Sequence, residues 1–170
     1  MSIRNTVAVA KAIRADIAIE VGPPEEGVMA NTQQVITMSM VRDTRGYVIK
    51  IANQINGAYE HGWYDACAVM LRRLIETLII ECFEHHNIAA TIKTPKGDFM
   101  YLRDLIDKAV KETAFNLGRN TKTALPKLKD IGDKSAHSRY YVGLRGDIQP
   151  LLVDIRTVVQ ELLYVSALKK

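Results

Sequence analysis

Apolar residues recur at helical spacing from Thr44 onward, and the pattern predicts a series of helices joined by short polar links. Val48, Ile51, Ala52, Ile55, Ala58 and Tyr59 form the first stripe, which Gly57 weakens without abolishing. After His61-Gly62 comes the strongest one: Trp63, Ala66, Cys67, Met70, Leu71, Leu74, Ile75, Leu78, Ile79 and Cys82 make one wide apolar face. A third helix is expected with Asp98 as its N-cap and Leu102, Leu105, Ile106, Ala109 and Val110 facing inward. A fourth is expected to be capped by Thr123, with Pro126 in its first turn, and to run through Leu128, Ile131 and Ala136. Asp147 is the expected cap of the last, which carries Ile148, Leu151, Leu152, Ile155, Val158, Val159, Leu162 and Leu163, with Pro150 harmless in its first turn.

Five helices with short links predict an all-α, antiparallel bundle. The expected division is a bundle over residues 36–170 and an N-terminal arm or docking extension over residues 1–35. Within the arm, Ile17, Ile19 and Val21 alternate as a strand would, while Ala8, Ala10, Ala12 and Ala15 fit a helix; the pattern does not separate the two. Gly22, Pro23 and Pro24 end either one.

Composition narrows the class without naming a function. At 170 residues with 48% apolar and 25% charged positions, the chain has the size and balance of one globular domain. No run approaches the ~20 apolar residues of a membrane helix. Arg4, Lys11, Arg14, Asp16 and Glu20 interrupt any signal-peptide core, so a cytosolic protein without a membrane partner is expected. Cys67 and Cys82, on one helix and roughly 22 Å apart by helical rise, are too distant for a disulfide and are expected to be buried as small hydrophobes. No cysteine pair has zinc spacing, and His85 and His86 diverge as neighbours on a helix, so no metal and no cofactor is expected. Neither a phosphate-binding glycine loop nor a Gly-x-Ser-x-Gly element is present.

The net charge of +4 is unevenly placed: residues 93–145 hold 12 Lys or Arg against 6 Asp or Glu. Such a surface suits an anionic partner, although a solvated basic face has the same pattern. Lys127, Lys129, Lys134, Arg139 and Arg145 are candidates for tracking a phosphate backbone, with Tyr140 and Tyr141 available to stack on bases. His137 sits in a polar, small-residue stretch rather than on an apolar stripe. It is the main candidate for chemistry, either as a base oriented by Asp133 four residues earlier or as an ordered side chain bonded to it. Gly132, Ser135 and Ala136 permit the close approach of another helix. Arg72 and Glu76 at i,i+4 are expected to be an ion pair, with room for a supporting role near His137.

Two segments together carry a resemblance. GWYDACAVMLRRLIETLIIECFE, with Arg72 four residues before Glu76, and LKDIGDKSAHSRYY, with its small-residue turn before His137, resemble the HEPN superfamily of helical bundles, in particular a bacterial branch, over residues 44–168. The resemblance implies a homodimer whose histidine segments face each other, often in bacterial defence or stress systems. In catalytic members, an arginine separated from the histidine by four to six intervening residues completes a metal-independent endoribonuclease. The chemistry suits those residue types: RNA supplies its own 2′-hydroxyl nucleophile, an imidazole moves the proton, and a guanidinium holds the phosphate. Here the positions in question are Asp130, Ile131 and Gly132, so the pair is incomplete. Lys129 and Arg139 are the substitute cations within reach of consideration, and neither is equivalent in chemistry and position. Three readings follow: a non-catalytic binding or adaptor module for RNA or protein, a ribonuclease centred on His137, and an antitoxin-like or sensor subunit docking through its arm.

Overall fold

The computed structural model describes residues 33–169, and the strand-or-helix alternatives for the first 20 residues lie outside them. In chain order the elements are α1 (Met38–Val41), α2 (Gly46–Glu60), α3 (Tyr64–His85), a 3-10 turn at Ala89–Ile92, α4 (Leu102–Lys111), α5 (Arg119–His137), α6 (Arg145–Ile148), a 3-10 turn at Gln149–Leu151, and α7 (Leu152–Val165). Among the described residues there is no strand, only one antiparallel bridge between Lys93 and Phe99. The molecule is an all-α bundle, as its apolar periodicity predicts. No helix among the described residues is long and apolar enough to cross a membrane.

The long helix α3 is the axis of the bundle, packing on α2, α4, α5 and α7. Leu71, Leu74, Ile75, Leu78, Ile79, Cys82 and Phe83 lie on its buried side and are almost fully removed from water. Both cysteines are free and buried, and desolvation pushes their thiols up to about 12, which leaves them inert as nucleophiles at neutral pH. The apolar stripe on α3 starts one residue later than the sequence pattern suggests. Trp63 is the N-cap, outside helical geometry, and stays 46% exposed while stacking on His61 at 5.0 Å. Tyr64 takes the buried place instead, edge-on to Tyr59 at 5.6 Å. Ala66 faces solvent and Met70 is half-buried.

Val35 and Ile36 are fully buried, so core packing begins before α1. Asn56 on α2 grips the backbone of Ile36 from both sides, accepting from its amide at 2.9 Å and donating to its carbonyl at 2.7 Å. The Arg156 guanidinium on α7 donates to the carbonyls of Val35 and Gln34.

Three helix starts differ from the sequence expectation, each for a tertiary reason. Asp98 does not cap α4: Tyr101 does, because residues 93–100 close a tight turn in which the Met100 amide bonds to the Ile92 carbonyl at 3.0 Å. Gly97 takes a left-handed φ of 90° in that turn. Thr123 does not cap α5 either. The helix begins at Arg119, and Pro126 lies in its interior on the exposed side. The free amide of Gly118 and the Thr121 hydroxyl are instead met by the Glu161 carboxylate, supplied by α7. Asp147 sits inside α6, where its carboxylate reaches back to the Leu144 amide at 2.9 Å.

The Glu161 cap is sequence-distant and half-buried, so its removal has a defined cost. Glu161→Ala is expected to lower stability by about 1–2 kcal/mol, the usual loss for an N-cap, seen as a lower urea midpoint. A midpoint unchanged from the parent would show that water replaces this carboxylate without penalty.

Candidate functional site at the end of the bundle

The two helices α5 and α3 approach closely at Gly132. Gly132 lies buried against Ala68 and Arg72, and a methyl group placed on it would stand 2.7 Å from the Arg72 Cβ and 3.1 Å from the Ala68 carbonyl oxygen. A side chain at this position would force the helices apart, so the small-residue turn serves packing inside this bundle.

Directly beside Gly132, the helices exchange charges. Arg72 Nε donates to Asp133 Oδ1 at 2.8 Å, and Lys129 Nζ donates to Asp133 Oδ2 at 2.5 Å. Arg72 also reaches Glu76 at 3.6 Å, and Lys129 reaches Asp130 at 3.5 Å. Desolvation acts to raise the Asp133 carboxyl, but the hydrogen bonds and charges of Lys129 and Arg72 outweigh it and hold the group below the ordinary aspartate range. The same hydrogen bond is the largest influence on Lys129, whose ammonium is held above its usual value. Both oxygens of Asp133 are therefore engaged, and so are the two cations closest to it.

His137 lies one turn further on, at the exposed C-terminal residue of α5. No hydrogen bond or ion pair joins it to Asp133; within the described residues its ring is unengaged. The structure thus gathers Arg72, Glu76, Lys129 and Asp133 into one network and leaves His137 outside it. Lys127 is also apart, reaching Asp154 of α7 at 3.6 Å.

After His137 the chain bends and then runs extended to α6. Two carboxylates fix this segment, and the sequence pattern marks neither for that role. Asp65, in the first turn of α3, accepts from the Gly143 amide at 3.0 Å. Asp147 accepts from the Tyr141 hydroxyl at 2.8 Å as well as from Leu144. Burial first, and Asp147 second, push the Tyr141 phenol well above the ordinary tyrosine range, so it stays protonated as a donor. The adjacent tyrosines thereby divide: Tyr141 is anchored, while Tyr140 is 86% exposed with the Arg139 guanidinium 5.4 Å from its ring centre. Val142 and Leu144 also point outward, as does Trp63 beside this segment's anchor. Lys134 is exposed on the last turn of α5, and Arg145 is half-buried at the start of α6.

A second titratable cluster lies elsewhere, at the start of α2. Glu81 is buried on α3 and accepts hydrogen bonds from Tyr47 and from Arg45, the latter at 2.9 Å. Burial raises its carboxyl above the usual range, Arg45 partly offsets this, and Glu84 adds to it. The pair tethers α2 to α3. Among the described residues no group of three His, Cys, Asp or Glu is arranged to hold a metal ion, and the rings of His85 and His86 stand edge to face at 82°.

No protein-family model, no curated protein and no solved structure matches this chain.

Proposed function

We propose that the chain is a non-catalytic, HEPN-like binding module that recognises single-stranded RNA with the end of the bundle formed by His137 and residues 138–145. The observation that carries the non-catalytic part is the double engagement of Asp133: it ties up Lys129 and Arg72, so neither is at liberty to hold a phosphate beside His137. With Lys129 and Arg72 engaged, only Lys134 and Arg139 are left near His137 to meet developing charge on a phosphorane, and neither stands at the position the resemblance assigns to the catalytic arginine. Recognition is supported by Tyr140, whose exposed ring with Arg139 against it offers a stacking platform, and by Lys134 next to the same turn. A homodimer and a role in bacterial defence follow from the sequence resemblance and belong to this proposal. The exposed, unengaged imidazole of His137 favours a ribonuclease using Arg139 as the second reading.

One experiment separates them. Wild type and His137→Ala are incubated in EDTA with structured and single-stranded RNA, and a fluorescein-labelled single strand is titrated by anisotropy. The expected result is intact RNA with both proteins, and binding weakened about tenfold by Tyr140→Ala, the order of one lost stacking contact. Cleavage by the wild type alone, leaving 2′,3′-cyclic phosphate ends, would replace this reading with the ribonuclease. Intact RNA without binding would direct the same face to a protein partner.

A further inference from the structure

The end of the bundle that carries His137 leaves four large apolar side chains exposed. Trp63, Tyr140, Val142 and Leu144 are 46, 86, 63 and 51% exposed, around the first turn of α3 where Gly143 is pinned to Asp65. Clusters of this kind on a small protein mark a surface that something covers.

Three observations bear on what covers it. The first is where the described chain begins: Gln33 and Gln34 lie against Asn53, Asn56, Gly57 and Glu60 in the last turns of α2, and Glu60 is three residues from Trp63. Residues ahead of Gln33 therefore enter at the same end of the bundle as the patch. Twelve residues separate Val21 from Gln33, a reach of about 40 Å when extended, and Met29 is within about 14 Å. The second is charge. From Ala15 to Val41 the sequence has no Lys or Arg but carries Asp16, Glu20, Glu25 and Glu26. Arg139 stands over the Tyr140 ring of the patch, Lys134 is exposed on the last turn of α5, and neither is in an ion pair among the described residues. Asp65 and Asp147 are already bonded to the 141–144 segment, and Glu60 lies three residues before Trp63 as an opposing charge. The third is apolar content: Ile17, Ile19, Val21, Val28 and Met29 fall within the acidic stretch and match the patch in kind.

We propose that the acidic, apolar stretch Asp16–Met29 of the same chain docks on the Trp63, Tyr140, Val142 and Leu144 face and covers it. Burial of apolar surface drives the contact, and Lys134 and Arg139 select an acidic segment for it. Covering Tyr140 also makes the stretch an internal competitor for the ligand of that face; this consequence, unlike the docking itself, rests on the RNA-binding reading.

Trp63 is the chain's single tryptophan, so its fluorescence reports the cover directly. Acrylamide quenching is measured on the full-length wild type, on Ile17→Ser/Ile19→Ser/Val21→Ser, and on Val142→Asp, which sets a like charge against the acidic stretch. Far-UV circular dichroism serves as the control for folding. Both variants are expected to quench about twofold more readily than the parent with an emission shifted to the red, because uncovering restores quencher access to a half-exposed ring. Equal quenching in all three proteins would overturn the proposal. Shielding in the wild type that disappears on dilution would overturn it too, placing a second copy on the face instead. The readout contains no RNA: a chain that shields Trp63 but binds no RNA would keep the docking and lose the recognition reading.

Discussion

Gly132→Val lowers the stability of the bundle by about 3 kcal/mol, the upper part of the usual range for overpacking, while Gly132→Ala costs about 1–2 kcal/mol. Two effects of opposite sign compete at this position. Alanine is the better helix former by up to about 1 kcal/mol, which alone would make the substitution stabilising. Against it stands the 2.7 Å approach to the Arg72 Cβ and the 3.1 Å approach to a main-chain oxygen of α3, neither of which a rotamer change relieves. The clash wins because it involves a backbone atom and a Cβ rather than the end of a flexible chain. Urea denaturation decides the matter through a lowered midpoint at unchanged slope. A more stable Gly132→Ala protein would mean that the α3–α5 crossing relaxes freely. The Arg72–Asp133 bond next to it would then lose its claim to fixed geometry.

The second large effect is at Asp133. Asp133→Ala is expected to cost about 1–2 kcal/mol at neutral pH, less than the loss of a fully buried charge partner because a third of the carboxylate is exposed. Its pH dependence has a definite sign. The folded carboxyl lies below its unfolded value, so the stability it contributes is complete above the ordinary aspartate range and disappears as the pH falls through the folded value. The gap between wild type and Asp133→Ala should thus be constant from pH 8 to about pH 5 and close in stronger acid. Glu81 acts oppositely. Its carboxyl is raised in the folded state, so its contribution is complete below the ordinary glutamate range and is lost as the pH rises through the folded value. The comparison is made in parallel on Glu81→Gln, which removes that second titration. A gap between wild type and Asp133→Ala that widens in acid would contradict the network described for Lys129, Arg72 and Asp133.

The same carboxylate engages the two cations nearest to it, and the proposed lack of catalysis rests on that engagement. A lysine eight positions before an exposed histidine looks, in sequence, like a cation in reserve for catalysis. In the folded chain it is the partner of Asp133, held on its own helix at i,i+4, and the second oxygen of that carboxylate is taken by Arg72 from α3. Sequence spacing shows the i,i+4 pair but not the crossing contact, since Arg72 and Asp133 are 61 residues apart.

What the sequence determined by itself is the helical bundle and the greater part of its buried faces. Apolar spacing depends on the 3.6-residue period alone, so the buried residues of α2, α4 and α7 are legible in it, whereas on α3 it misses Tyr64, Ala68, Glu81 and Phe83. The starts of α4 and α5 were not legible, because the groups that set them come from elsewhere in the chain: Glu161 serves the first amides of α5, and a turn closed by Ile92 and Met100 displaces Asp98 from α4. Nor does periodicity reveal how the tyrosines divide or which partner Asp133 takes. Only the tertiary structure decided these, because a hydrogen bond or an ion pair needs two groups within about 3–4 Å, and helices far apart in sequence reach that distance only once their apolar faces have packed.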